Sequence, residues 1–180
     1  MKQNNYAFID SNNLYLGISQ DIHRKQQKIY TGWKLDYKKF RVYLKDKYHI
    51  TKAFLCIGFK PGNQTMYINL QQDGYICIFK PTLELKNGKV KGNVDAELVL
   101  HAMVEKDHYD KAVIVSGDGD FYCLIEYLMN QNKLEKVVVP NQYSYSSLLD
   151  RLSSEENNIL SFGNQLKNKL EYQGGKRKSF

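Results

Sequence analysis

Five stretches of the chain are unbroken apolar runs of strand length, and the apolar residues between them fall mostly at helical spacing. The runs are 5–10 (NYAFID), 52–59 (KAFLCIGF), 75–79 (YICIF), 111–116 (KAVIVS) and 136–140 (KVVVP). A strand that is apolar without alternation is covered on both faces, as in a parallel sheet held between helices. Residues 35–48 predict an amphipathic helix, with Leu35, Phe40, Tyr43, Leu44 and Tyr48 near helical spacing and lysines between them. Residues 93–107 predict a second, with a stripe of Val94, Leu98, Ala102 and Met103 behind an Asn93 cap. Residues 63–74, closed by Gly74, and 121–132 predict two more. Asn87-Gly88 within 82–92 is a hairpin signal. Residues 146–152 and 163–173 read as helices, with a short strand over 158–162 between them. The pattern predicts an α/β fold: a three-layer α/β/α sandwich on a mainly parallel sheet.

Composition narrows the class. The chain has 180 residues, 42% hydrophobic and 25% charged, enough for one ordinary domain with a real core. We expect that domain over 1–172 and a basic, disordered tail over 173–180. No apolar stretch is long enough to cross a bilayer, and the start of the chain lacks a signal-peptide layout, so the expectation is a cytoplasmic protein with no membrane partner. Three cysteines without a C-x-x-C pair suggest neither a disulfide framework nor a zinc knuckle.

Charge adds a partner. The net charge is +7 and unevenly spread: residues 21–47 carry nine Lys or Arg, Lys38 and Arg41 among them, against three Asp. Further basic residues lie in 80–91, including Lys89 and Lys91, and in the tail at Lys176, Arg177 and Lys178. A basic periphery around an acidic remainder suits a polyanion that must approach carboxylates.

The acids give the chemistry. Asp10 stands at the carboxyl end of the first strand, and Asp118 and Asp120 just past that of the fourth. Open α/β sheets bind ligands outside the carboxyl ends of strands, where strand order reverses. If those two strands flank the reversal, the three acids share a crevice, and Asp95 joins them if its helix starts at the same rim. Singly, each acid has an ordinary role as a helix cap or turn former. Together they repel, and a hard divalent cation relieves that repulsion. An oxygen-only donor set points to one or two Mg²⁺ or Mn²⁺ ions rather than to zinc. Such an ion beside a basic rim suits phosphodiester hydrolysis, with Lys89 and Lys91 placed to hold the backbone being cut.

Three motifs, FIDSNNLY (8–15), KGNVDAELVLHAM (91–103) and VIVSGDGDFYCLIEYL (113–128), in that order, resemble the NYN domain. They are most similar to its LabA-like, DUF88 branch among the PIN-like nucleases. The resemblance runs from about residue 5 to about residue 170 and implies a sheet of order 3-2-1-4-5 and a metal-dependent ribonuclease, an endonuclease, acting on RNA. It makes Asp10, Asp95, Asp118 and Asp120 the metal-binding and catalytic acids. It makes Asn13 the asparagine that orients Asp10 or a water, with Ser116 supporting the second acidic loop and Asn12 beside Asp10 in a supporting place. Many relatives carry an acid where this chain has His101, which leaves a non-catalytic RNA-binding module as the alternative. A homodimer is compatible with the sequence. An aspartyl phosphatase is disfavoured because Asn12 stands where its general acid would be. A metal-dependent adhesion site lacks its hydroxyls at positions 12 and 14, and no G-x-G-x-x-G follows the first strand.

Overall fold

The computed structural model describes residues 3–80, 83–84, 90–91, 95–153 and 157–174. Six strands form one sheet: β1 (Asn5–Asp10), β4 (Ile50–Gly58), β5 (Tyr75–Lys80), β8 (Ala112–Val115), β9 (Leu134–Val139) and β10 (Leu160–Phe162). Their spatial order is β5-β4-β1-β8-β9-β10 and every pairing is parallel. The five expected strands thus stand in the order 3-2-1-4-5, and the short strand near residue 160 adds a sixth at the edge. The chain builds outward from β1 to β5, then returns to start again at β8 on the other side of β1. That reversal puts the carboxyl ends of β1 and β8 side by side.

Period-two alternation explains why the runs are apolar throughout. Tyr6, Phe8, Phe54, Cys56, Ile114, Val137 and Val139 enter one core, beneath α4 (Asp95–Val104) and α5 (Tyr122–Asn130). Ala7, Ile9, Ala53, Leu55, Val113, Val115 and Val138 enter the other, beneath α1 (Ser11–Ser19), α2 (Tyr37–Tyr48), α3 (Gln64–Gln72) and α6 (Lys167–Leu170). Phe8 and Phe54 stack at 5.3 Å across β1 and β4. Each such fully buried large side chain contributes about 1.5–3 kcal/mol relative to exposure.

Several elements differ from the sequence expectation. Helix α1 is not announced by the pattern, because Leu14 and Ile18 are its only buried apolar residues. A two-stranded hairpin, β2 (Ile22–Arg24) and β3 (Gln27–Tyr30), turns on Lys25 and Gln26, both at positive φ, with no glycine to mark it. Residues 146–152 form turns ending in a 3-10 segment rather than a helix. The segment 163–173 is a 3-10 turn followed by the single turn of α6. Gly74 does end α3, at φ +94°. The expected hairpin is seen as the antiparallel pair β6 (Leu83–Glu84) and β7 (Val90–Lys91). Its Asn87-Gly88 turn, the Asn93 cap, Lys89, and the tail with Lys176, Arg177 and Lys178 lie outside the described residues, and Lys91 is described in its backbone alone.

Candidate active site

Asp10 ends β1 and begins α1. Its Oδ1 accepts hydrogen bonds from the backbone N–H groups of Asn12 and Asn13, both at 3.0 Å, which caps the helix. The residue is only 5% exposed. Burial holds its carboxyl above the ordinary carboxylate range against the pull of the Asn13 N–H, and the charges of Asp95 and Asp118 push it further up. Asp95, the first residue of α4, is also raised: by burial first, then by Asp118 and Asp120, while Lys80 opposes the shift. Asp95 therefore lies within electrostatic reach of Asp10, Asp118 and Asp120, and Asp10 within reach of Asp118, although they come from three remote segments.

The loop that carries the last two acids is fixed from several sides. Asp118 accepts from the Asp120 N–H at 3.0 Å and caps the 3-10 turn Gly119–Phe121. Buried Ser116 accepts from the Asp118 N–H through its Oγ at 3.1 Å. Asn13 Oδ1 accepts from the Gly117 N–H at 2.8 Å, which ties α1 to the loop after β8. That bond gives the Asn13 side chain a hold on the loop that carries Asp118, while its backbone N–H bonds Asp10. The Ser146 N–H donates to the Gly117 carbonyl at 2.9 Å, bringing the segment after β9 against the same loop. A Cβ on Gly117 would meet Tyr145 Cβ at 2.9 Å, so the approach requires glycine there. The result is an open cleft of about 420 Å³ lined by Asn13, Asp118, Asp120, Tyr145, Ser146 and Leu148, with glycines 117 and 119 in its wall.

The remaining sequence-chosen residues divide. Asn12 is exposed at the start of α1. Lys38 lies exposed in a groove between α2 and α6. Arg41 is a correction: its guanidinium donates to the carbonyls of Gly74, Ile50 and Thr51 at 3.0–3.3 Å, at the amino ends of β4 and β5, the opposite edge of the sheet from the acids. His101 stacks on Phe54 at 6.1 Å, a packing role. Tyr145 leans on Phe162 and donates its hydroxyl to Asp150, and that bond pushes its pKa up to about 12.

Two residues escaped the sequence reading. Lys80, at the carboxyl end of β5 and read in the sequence only as part of the basic stretch 80–91, is a cation that acts on Asp95. Its position at the end of an apolar run was the available signal. Glu97 acts with Asp10 on Cys56, whose thiol burial pushes up to about 12. Its spacing of two from Asp95 offers no helical-face signal.

Whether these residues suit a divalent ion is answered by their chemistry. Among the described residues no three His, Cys, Asp or Glu side chains converge into a ready-made cage. Mg²⁺ does not require one: it keeps several waters and is commonly bound through one or two carboxylates. Carboxyls raised by burial and by each other are groups that a cation would relieve. The oxygen donors are of the kind a hard divalent ion takes, and no three of them converge as one ligand set among the described residues.

The sequence profile of the NYN domain matches residues 6–155. The chain belongs to the NYN domain family. NYN domains are part of the PIN-like nuclease superfamily, to which the sheet order also conforms. The NYN fold here is similar to the crystal structure of a protein of unknown function from Vibrio parahaemolyticus. That protein is 22% identical, with a TM-score of 0.63 over 89% of this chain and 91% of the other. At that identity the likeness bears on fold alone. No curated protein matches the chain in sequence. Among the described residues no helix is long and apolar enough to cross a membrane.

Proposed function

We propose that this NYN domain is a ribonuclease of the LabA-like branch that cuts RNA internally with the help of Mg²⁺ or Mn²⁺. The observation that supports the reading is that Asp95, at the start of α4, is within electrostatic reach of Asp10, Asp118 and Asp120 beyond the carboxyl ends of β1 and β8, which lie side by side. One or two of these carboxylates at a time would hold the ion, which would keep its remaining waters. When bound, it draws charge from the phosphodiester and makes water a better nucleophile near neutral pH.

The chain's own groups do the rest. Asn13 and Ser116 fix the loop that presents Asp118. The cleft beside that loop admits the RNA backbone, and Tyr145 and Ser146 bound it on the far side. Lys80 offsets the charge of Asp95 and offers a cation where a phosphate would approach. Lys89, Lys91 and the basic tail add affinity without sequence preference.

The test is cleavage of RNA with added Mn²⁺. Asp10→Asn and Asp118→Asn should each lower it by about a hundredfold or more, because both remove charge opposite the reacting group. Retained cleavage in both variants would end the nuclease reading. A second reading, an RNA-binding module without cleavage, draws on His101 being packed against Phe54 rather than supplying a ligand. It is selected if the wild-type chain leaves RNA intact with Mn²⁺ yet binds it equally well in EDTA.

A further inference from the structure

Helix α4 is apolar on the side that faces away from the sheet as well as on the side that covers it. Leu98 and Ala102 are buried against the core, while Leu100, Met103 and Val104 are 56%, 36% and 62% exposed, and Ala96 is exposed one turn before Leu100. These four fall at i, i+4, i+7 and i+8, a single stripe along the outer face, where a surface helix ordinarily carries polar residues. Apolar surface continues toward the edge of the sheet: His101 stacks on Phe54, and the half-exposed Ile76 of β5 is the register partner of Phe54. On the opposite face of the sheet, α2 and α6 bound an open groove of about 390 Å³ lined by Lys38, Lys39, Val42, Tyr43, Lys169 and Leu170. Val42, Tyr43 and the stems of the lysines make it apolar, and Val42 is 50% exposed. The groove is fixed in shape: the Asp36 N–H donates to the Leu170 carbonyl at 2.9 Å, and Lys39 Nζ donates to the Glu171 carbonyl at 2.9 Å.

We propose that the outer stripe of α4 in one copy seats in the α2–α6 groove of a second copy, so that this chain self-associates head to tail. The two surfaces match in shape and in sign. A ridge of apolar side chains meets an apolar groove. Residues 95–107 carry four acids against one lysine, whereas residues 34–47 carry six Lys or Arg against two Asp. Opposite charge steers the encounter and fixes the register, while apolar burial supplies the affinity. The chain's own basic tail, with Lys176, Arg177 and Lys178, has the wrong sign for the groove. Pairing of α4 with itself would set acids against acids and leave the groove empty. Stripe and groove lie on opposite faces of the sheet, so each copy offers one of each to different neighbours. Such a heterologous contact propagates into a ring or a filament rather than closing as a twofold pair. One helix face in one groove is less than a standard interface, so the association is weak and depends on concentration.

Sedimentation equilibrium of the full chain, without RNA and from about 10 to 500 μM, reads the association. The average mass should rise with concentration and fall back toward the monomer when salt is raised from about 0.05 to 0.5 M. Leu100→Lys spoils the stripe and Val42→Lys spoils the groove, both at exposed positions, and thermal unfolding checks that each variant folds. Each alone should sediment as a monomer, its association weakened by about tenfold or more by a charge in the apolar contact. Mixed in equal amounts, the two should form one-to-one dimers and nothing larger, because the first keeps its groove and the second keeps its stripe. A wild-type chain that is monomeric across the range overturns the proposal and is the outcome expected if a different protein covers these faces. Association that survives in Val42→Lys overturns it in favour of α4 pairing with α4. Association that survives in Leu100→Lys, or a mixture that stays monomeric, also overturns it.

Discussion

Replacing Asn13 by Ala isolates the contact between α1 and the acidic loop. The Asn13 backbone N–H donates to the capping Asp10 carboxylate, which alanine keeps, and the Asn13 side chain accepts from the Gly117 N–H, which alanine loses. Gly117 is buried, so its N–H is left without a partner, at a cost of about 1–3 kcal/mol. Alanine recovers roughly 0.5 kcal/mol through better helix propensity. The net loss is about 1–2 kcal/mol, which for a domain of this size lowers Tm by roughly 2–8 °C.

Thermal unfolding in EDTA reads that number directly, and amide exchange at Gly117 should accelerate. Cleavage should fall by about ten- to a hundredfold in kcat with little change in KM, since the loop carrying Asp118 loses its anchor and a displacement near 1 Å is costly. Asn13→Asp keeps an acceptor for Gly117 but adds a carboxylate beside Asp10. Its Tm should approach that of wild type in acid and fall behind near neutral pH. An Asn13→Ala chain with unchanged Tm and unchanged Gly117 exchange would refute the clamp.

Three further outcomes follow from the geometry. Asp10 and Asp95 bind protons more tightly folded than unfolded, so metal-free stability falls as pH rises from the ordinary carboxylate value of 3.8 through their raised native values. Asp10→Asn removes the Asp10 contribution while its amide oxygen keeps the cap. The Tm difference between variant and wild type should therefore grow in the variant's favour across that window, and a difference that is flat with pH counts against the cluster. Arg41→Ala should lower Tm by several degrees through loss of its carbonyl contacts, yet leave the salt dependence of RNA binding unchanged in a fluorescence titration. Gly117→Ala should destabilise by about 1–3 kcal/mol in a denaturant melt, because its methyl group displaces Tyr145.

What could be read from the sequence follows burial. The five runs were legible because strands covered on both faces cannot afford polar residues, and their alternation into two cores is what the coordinates contain. The hairpin of β2 and β3 was not, because it is largely exposed and its turn uses Lys25 and Gln26 where glycine or asparagine would have been the signal. Residues 146–152 carry apolar residues near helical spacing, but the Ser146 N–H is drawn to the Gly117 carbonyl, and that tertiary bond decides the local form. Arg41 shows the limit of charge counting: composition cannot separate a cation in solvent from one committed to three carbonyls. The Asn13–Gly117 bond joins residues 104 positions apart, which no local pattern announces.

The capping roles of the acids do not compete with the cluster; they explain how it is built. In a parallel sheet every strand's carboxyl end leads toward a helix start, so all the caps fall along one edge. An acid there gains from backbone N–H groups and the helix dipole. Asp36 makes the same kind of bond at the start of α2, accepting from the Lys39 N–H at 3.0 Å, but α2 begins after a loop rather than beside β1, and Lys34, Lys38 and Lys39 stand within three residues of it. Where the chain reverses, with β1 against β8, two such starts are adjacent, and there Asp10 comes within electrostatic reach of Asp118 and Asp95. Capping accounts for Asp10 and Asp118 but offers no reason for the crowding in which burial and repulsion raise the pKa values of Asp10 and Asp95. That crowding, only partly offset by Lys80 and by backbone N–H groups, distinguishes this edge of the sheet from an ordinary set of helix caps, and a cation arriving with a polyanionic substrate would relieve it further.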